Sequence, residues 1–303
     1  MRMVCATHGA LPFASPVPND DELAGTLRRQ ADAGMDVVTD GCPGWRDPVT
    51  PVLAPLGGIR LGAACALPLG IALAARPVVE AKLRRLHSPM LDAYRRAAPH
   101  ATRPLKAVVT GPYTLAAAAE IATTAYRHPA DLAAHLGTLL AQEVTALVVA
   151  GARVIQIDEP LLLARPEDAK LVRVLLEPLV DAAQGATVLV ATYGADAGDC
   201  YAQLNSLPGD VIAVDCAGRR DLLAAVADTG AGKPLALGIV DANDPAVEDP
   251  DELARLLERL LARYVHETVW IQPSAGLQAL PVATADAKLR ALARAAAVCL
   301  GRA

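Results

Sequence analysis

The chain has 303 residues, 53% hydrophobic but only 3% aromatic, and a formal net charge of −5. That length buries a full core and suits one large α/β barrel or two small domains, while a composition led by Ala and Leu favours packed helices over an aromatic-rich β-sandwich. The acidic balance carries no basic stripe, so nucleic acid is not an expected partner.

Strand-like runs recur along the chain, most of them separated by helix-like segments. The first covers 2–6 and ends at Thr7-His8-Gly9-Ala10; a helix follows, opened by Asn19 with Glu22 in a capping-box pattern. The second covers 36–39 and ends at Asp40-Gly41-Cys42-Pro43. The interval 43–105 is too long for one crossover. Its Gly57-Gly58, Pro68 and Pro77 predict a small excursion such as a hairpin, then a helix over 79–98. The third strand, 107–110, runs into Gly111-Pro112-Tyr113-Thr114. Leu132, Leu136, Leu139, Leu140 and Leu147 then mark a helix over 130–150, stopped by Gly151.

The fourth strand, 154–157, runs directly into Asp158, Glu159 and Pro160, so two carboxylates stand where a buried parallel strand must end. The fifth, 187–191, ends at Thr192-Tyr193-Gly194, and the sixth, 211–214, at Asp215-Cys216. The seventh, 235–240, ends at Asp241-Ala242-Asn243-Asp244, ahead of an amphipathic helix with Asp249 as cap, Pro250 at its first position and Glu252 completing the box. The eighth, 268–271, ends at Gln272-Pro273-Ser274-Ala275-Gly276, and an Ala-rich helix over 284–300 follows. Strands in this alternation spell a single (β/α)8 TIM barrel over 1–303 with an elaborated 43–105 segment, because right-handed crossovers place each helix outside the sheet. An open doubly wound sheet is the competing arrangement.

No apolar run approaches the about 20 residues of a bilayer span, and the first nine residues lack the apolar core of a signal peptide. Six scattered cysteines, at 5, 42, 65, 200, 216 and 299, form no CxxC pair. These features predict a cytoplasmic location in a reducing compartment and no membrane partner.

In a barrel of this kind the site lies at the carboxyl ends of the strands. Those ends carry His8, Asp40, Cys42, Tyr113, Asp158, Glu159, Thr192, Tyr193, Asp215, Cys216, Asp241, Gln272 and Ser274. No Walker loop, dinucleotide-type GxGxxG or GxSxG elbow is present. Plainer roles exist as well: Asp158, Glu159, Asp241 and Asn243 suit helix starts, His8 suits a polar strand end, Cys42 and Cys216 suit buried fillers, and Tyr113, Tyr193, Trp45 and Trp270 suit packing.

Several segments together resemble the cobalamin-independent methionine synthases. They are Val109-Thr110-Gly111-Pro112-Tyr113-Thr114-Leu115, Ile155-Gln156-Ile157-Asp158-Glu159-Pro160, Asp210-Val211-Ile212-Ala213-Val214-Asp215, Leu237-Gly238-Ile239-Val240-Asp241 and Ile271-Gln272-Pro273-Ser274-Ala275-Gly276-Leu277. The order holds along nearly the whole chain, and the short archaeal-type barrel is the nearer form. The resemblance implies a zinc ion that binds homocysteine as thiolate, whose sulfur attacks the methyl group of a methyl-folate. A metal is needed because a free thiol, with a pKa of about 8.5, is mostly protonated at neutral pH.

Carried over by position, the family's zinc ligands fall on Thr192, Gly194, Asp215 and Ala275, of which only Asp215 is a good donor. Thr192-Tyr193-Gly194 is closer to the zinc-less amino-terminal barrel of the long enzymes. Asp158 matches the aspartate that grips the substrate ammonium, whereas Cys42 and Ala10 replace an expected glutamate and serine. No metal and no other cofactor is therefore expected, unless His8, Cys42, Cys216 and Asp215 form a rearranged zinc site. The expected catalytic residues are Asp158, Asp215 and Asp241. The expected substrate-binding residues are His8, Cys42, Tyr113, Asp158, Glu159, Thr192, Tyr193, Gln272 and Ser274. One opening should gather Asp158, Glu159, Thr192, Asp215, Asp241 and Gln272, with Asp158 nearest the axis. The substrate expected is a small amino-acid-like, thiol or folate-like molecule; a true methyltransferase with a rearranged metal site and a non-catalytic binding barrel are the alternatives, and self-association or a partner subunit stays open.

Overall fold

The computed structural model describes residues 1–301. Eight strands form one parallel sheet: β1 (Arg2–Cys5), β2 (Val38–Thr39), β3 (Leu105–Thr110), β4 (Val154–Asp158), β5 (Thr187–Thr192), β6 (Val211–Asp215), β7 (Leu235–Val240) and β8 (Thr268–Pro273). Each of β3 to β8 pairs with its chain neighbour, β2 pairs with β3, and β1 pairs with β8. A parallel bridge between Ala6 and Val37 joins β1 to β2 and closes the ring. Thr7 N donates to Val37 O at 3.1 Å there, and Val37 N to Cys5 O at 3.2 Å. The closed alternative, not the open sheet, is what forms.

Side chains alternate along a strand, and the alternation divides the core. Val4, Ala6, Val37, Val154, Leu189, Ala191, Val211, Ala213, Ala236 and Trp270 point inward and fill the lower barrel. Their neighbours, such as Ile155, Ile157, Val188, Val190, Ile212 and Val214, point outward into the larger core under the helices. The enclosing helices include α1 (Asp20–Asp32), α2 (Pro89–Ala97), α3 (Pro112–Ala118), α4 (Pro129–Val149), α5 (Ala169–Ala182), α6 (Arg220–Thr229), α7 (Pro250–Leu261) and α8 (Val282–Cys299).

The caps form as half-boxes. Asn19 Oδ1 accepts from Glu22 N at 2.9 Å, but Glu22 Oε1 turns back to accept from Ala14 N at 2.8 Å. Asp249 Oδ1 accepts from Asp251 N at 2.7 Å and Glu252 N at 3.3 Å. Helix α4 corrects one expectation: its 21 residues are apolar and long enough to cross a membrane by composition. It packs between α3 and α5 on the barrel wall, and Leu132, Leu136, Leu140, Val144 and Leu147 on its inner face are buried.

The 43–105 excursion differs from the predicted hairpin and helix. A strand at Pro77–Arg84 pairs antiparallel with Gly57–Leu61 and parallel with Glu120–Ile121, and the helix is only Pro89–Ala97. Val78 and Val79 are β-formers, Pro77 is tolerated as the first residue of the strand, and Pro89 can only begin a helix, not sit inside one. Glu143 of α4 pins this excursion to the barrel: Arg85 Nε reaches Glu143 Oε2 at 3.1 Å and Leu91 N donates to Glu143 Oε1 at 3.0 Å. A second hairpin, Cys65–Ala66 with Ala72–Leu73, carries its turn residue Leu69 over the barrel mouth.

Candidate functional site

The barrel mouth holds a cavity of about 330 Å³ at the carboxyl ends of the strands, lined by His8, Cys42, Asp158, Tyr193, Asp215 and Arg219 among others. Its floor is built from inward positions of β3 and β4. On β3 the inward set includes Lys106, and on β4 it is Val154, Gln156 and Asp158. Lys106, 1% exposed, donates from Nζ to Gln156 Oε1 at 2.5 Å, and Gln156 Nε2 donates to Asp158 Oδ1 at 2.7 Å. The other carboxylate oxygen, Asp158 Oδ2, receives only Tyr193 OH at 3.4 Å and lies 4.0 Å from His8 Nε2. Asp158 thus enters the cavity with one oxygen committed and one available. Burial raises the Asp158 pKa, and the Gln156 bond and the Lys106 charge pull it back down. Burial lowers the Lys106 pKa, and Asp158 and Cys42 oppose that.

His8 is held by Gln272, whose Nε2 lies 3.0 Å from its Nδ1, and it stacks edge-on to Tyr193 with ring centroids 5.0 Å apart. Burial and then the Lys106 charge push its pKa down to about 3, so the ring is neutral. His8 Nε2 faces Asp158 without a hydrogen-bond partner. Cys42 also lines the cavity, with a φ of 50° supported by Cys42 N donating to Asp40 Oδ1 at 3.0 Å. Burial and then Asp40 hold its thiol well above the usual range, so it stays protonated.

The opposite wall is closed to new partners. Asp215 Oδ1 accepts from Ala217 N at 3.1 Å. Its Oδ2 accepts from Gly194 N at 3.2 Å, Arg219 Nε at 3.2 Å and Arg219 Nη2 at 3.0 Å. Gly194 has φ 94°, a conformation that glycine adopts without strain. The donor set there does not fit zinc: Thr192, Gly194 and Ala275 supply no strong ligand, and the Asp215 oxygens are occupied. Among the described residues no group of three His, Cys, Asp or Glu side chains converges as a metal site. Cys216 is fully buried, outside the cavity lining, and its thiol is raised by burial and then by Asp215.

Several expected residues lie elsewhere. Strand parity sends Glu159 outward, and it is not in the cavity lining. Its Oε1 accepts from Tyr113 N at 3.0 Å and its Oε2 from Thr114 N at 2.7 Å, capping α3 from below. Gly111 is required by this arrangement, since a Cβ there would stand 2.2 Å from Glu159 Oε1. Thr192 also points outward, buried with Oγ1 unpartnered. Asp241 Oδ1 makes a local turn with Asn243 N at 2.8 Å, and Ser274 Oγ accepts from Ala242 N at 3.0 Å. Tyr113 turns to a separate apolar groove, where its OH donates to Asp168 Oδ2 at 2.7 Å. Gln272 lies outside the cavity lining, with its Nε2 on His8 and its Oε1 unpartnered. The expected single opening therefore keeps Asp158 and Asp215 and loses Glu159, Thr192, Asp241 and Gln272 from its lining. Lys106 and Arg219 were not anticipated, and Gln156 entered only within a segment that carries the resemblance. Inward parity alone marks Lys106 and Gln156, provided β3 is started at Leu105.

The family model for the catalytic domain of cobalamin-independent synthase matches residues 18–298. The chain belongs to the cobalamin-independent synthase catalytic-domain family. A methionine synthase of Saccharolobus solfataricus is 30% identical over 280 residues, covering 89% of this chain and 81% of the relative. A 5-methyltetrahydropteroyltriglutamate–homocysteine methyltransferase of Corynebacterium efficiens is 28% identical over 91% of this chain, which spans only 38% of that longer protein. Among solved structures, a B12-independent methionine synthase from Shewanella sp. W3-18-1 in complex with selenomethionine superposes with a TM-score of 0.84 at 21% identity, covering 98% of this chain and 97% of that one. This family member thus shares the barrel along its whole length.

Proposed function

We propose that the chain is a divergent member of its family, an enzyme that holds a small amino-acid-like substrate at the barrel mouth and works without the family's zinc. The observation that carries this is the state of Asp215, whose two oxygens already accept four donors beside the donor-poor positions Thr192, Gly194 and Ala275. A thiol substrate arriving there meets no Lewis acid to lower its pKa.

The ligand's ammonium is placed at Asp158 Oδ2, the free oxygen of a carboxylate fixed from below by Gln156. A charge-assisted bond of this kind orients as well as binds. His8 Nε2 and Tyr193 OH stand beside it, and both side chains line the cavity. The unpaired His8 Nε2 and Gln272 Oε1 support a ligand-binding reading over a purely structural barrel, because buried polar atoms are normally satisfied. A rearranged zinc site lacks comparable support: Cys216 lies outside the cavity that His8, Cys42 and Asp215 line, and among the described residues no three such side chains converge.

Elemental analysis of the untagged protein beside a methionine-formation assay tests this. The expected result is no stoichiometric zinc and no methionine from homocysteine and methyl-folate. One zinc per chain together with turnover would overturn the reading.

A further inference from the structure

The cavity's charged groups divide into spent and unspent ones. Asp215 is saturated, as described. Asp47 lines the cavity with its Oδ1 engaged by Val49 N at 2.9 Å and Thr50 N at 2.6 Å and its Oδ2 without a protein partner among the described residues. Asp158 keeps one oxygen free. Of the two arginines, Arg219 uses Nε and Nη2 on Asp215, and its Nη1 has no protein partner among the described residues. Its side chain is 28% exposed and lines the cavity. Arg46 at the rim makes no hydrogen bond or ion pair among the described residues. No lysine lines this cavity, since Lys106 is sealed beneath it.

A guanidinium clamped on one edge by a carboxylate is rigid, and its remaining N–H groups keep the planar spacing that matches an oxyanion. Arg219 is therefore an oriented donor on the wall formed by β6, while Asp158 is an oriented acceptor on the floor formed by β4. The strand between them, β5, contributes Tyr193 and Gly194 to the same wall, and Gly194 adds no side chain to fill the gap. Leu69, Ile71 and Trp45 close the sides with apolar surface.

We propose that this cavity selects an amino acid whose side chain ends in an anion, with its ammonium on Asp158 and its terminal acid on Arg219, assisted at the mouth by Arg46. The proposal rests on the reading that Asp158 holds the ligand's ammonium. It adds that the far end of the ligand is a carboxylate or sulfonate and not a thiol. An anionic end loses its hydration on entering, and Arg219 replaces that water with fixed donors, whereas a neutral alkyl end leaves Nη1 unpaired over apolar surface.

The test is isothermal titration at neutral pH with L-glutamate and L-homocysteate against L-norvaline and L-methionine. In the wild-type protein the anionic pair should bind about tenfold or more tighter than the neutral pair, the scale of one charge-assisted contact. Arg219→Gln should abolish that preference without weakening the neutral pair. Because Arg219→Gln strips Asp215 of its partner and could unfold the wall, the double substitution Asp215→Asn with Arg219→Gln removes both charges together and should give the same loss of preference. Arg46→Gln, at an exposed position, should lower the preference about twofold to threefold, as expected of a solvent-screened charge. Equal binding of the two pairs by the wild type, or a preference that survives in the folded double variant, overturns the proposal. So does a failure of all four amino acids to bind. The metal and methionine assays report separately on the zinc-free reading, so the failure of one is distinguishable from the failure of the other.

Discussion

The two walls of the barrel mouth are built from the same strand grammar and reach opposite chemical states. On the β3–β4 side, Lys106, Gln156 and Asp158 form a buried chain that ends on one free carboxylate oxygen. On the β5–β6 side, Asp215 ends its strand in the same way but is closed off by Arg219 and by Gly194 and Ala217 N–H groups. Both acids are buried, 5% and 4% exposed, so burial does not separate them. What separates them is where their partners sit. Partners below a carboxylate hold it and leave its tip available; partners around the tip convert it into scaffold. A carboxylate at a barrel-strand end is thus read by its donors before it is given a role.

The largest effect that would sharpen this contrast comes from Lys106→Met. It removes the donor to Gln156 Oε1 and the positive charge that opposes the burial penalty on Asp158, at a cost of about 3 kcal/mol, the upper end for a hydrogen bond to a charged group. Urea unfolding at neutral pH measures it. The loss should shrink at acid pH, where Asp158 takes up a proton, and a cost below about 1 kcal/mol at all pH values would break the idea that the chain is an electrostatic unit.

Next comes Glu159→Ala. It strips the N–H groups of Tyr113 and Thr114 of their acceptor, at a cost of roughly 1–3 kcal/mol for each buried group. Affinity for any cavity ligand should not change. Asp158→Asn should instead lose roughly 1.5–3 kcal/mol in amine binding, read in variant protein that circular dichroism shows to be folded, since the change also removes the negative charge that supports buried Lys106. Swapped outcomes for this adjacent pair would invert the assignment of cavity and scaffold.

The pH dependence follows from Asp158 itself. Its ionised form accepts the ligand ammonium, and its pKa is raised above the ordinary 3.8 by burial. Amine binding should therefore be full at neutral pH and fall as pH drops, beginning at a higher pH than an unburied aspartate would give. Titrations across acid pH check this, and the fall should vanish in Asp158→Asn. The smallest effect is expected from Thr192→Val, which replaces an unpartnered buried hydroxyl by a methyl group of similar size. Stability should stay level or rise by up to about 1 kcal/mol with binding unchanged; weaker binding would return Thr192 to the site.

Most of the barrel is legible in the chain because buried parallel strands are short apolar runs with polar tips. Residues 235–240 are predicted and found with the same bounds. The excursion is less so, since Val79 to Arg84 satisfies a helical and a strand pattern alike until its pairing partners, which lie at Gly57–Leu61 and Glu120–Ile121, are known. Site residues divide by parity. Asp158, Asp215 and Tyr193 are inward positions of their strands and reach the cavity, whereas Glu159 and Thr192 are one residue out of phase. That phase is written in Val154-Ile155-Gln156-Ile157, and starting β3 at 107 instead of Leu105 hid Lys106 from the same rule. Arg46 and Arg219 lie in loops beyond any strand, where no periodicity points to the cavity.

The adjacency of Asp158 and Glu159 has a consequence for how such a protein changes over time. One peptide bond separates a side chain that lines the cavity from one that keeps α3 docked on the barrel, and alternation keeps their surroundings apart. Substitutions at position 158 change the chemistry of the cavity, with a folding cost confined to the Lys106–Gln156 chain below it. Substitutions at 159, and any side chain at Gly111, strike the docking of α3 whatever the cavity holds. New specificities in this barrel are therefore reached by exchanging inward residues at the strand tips while the outward ones stay put.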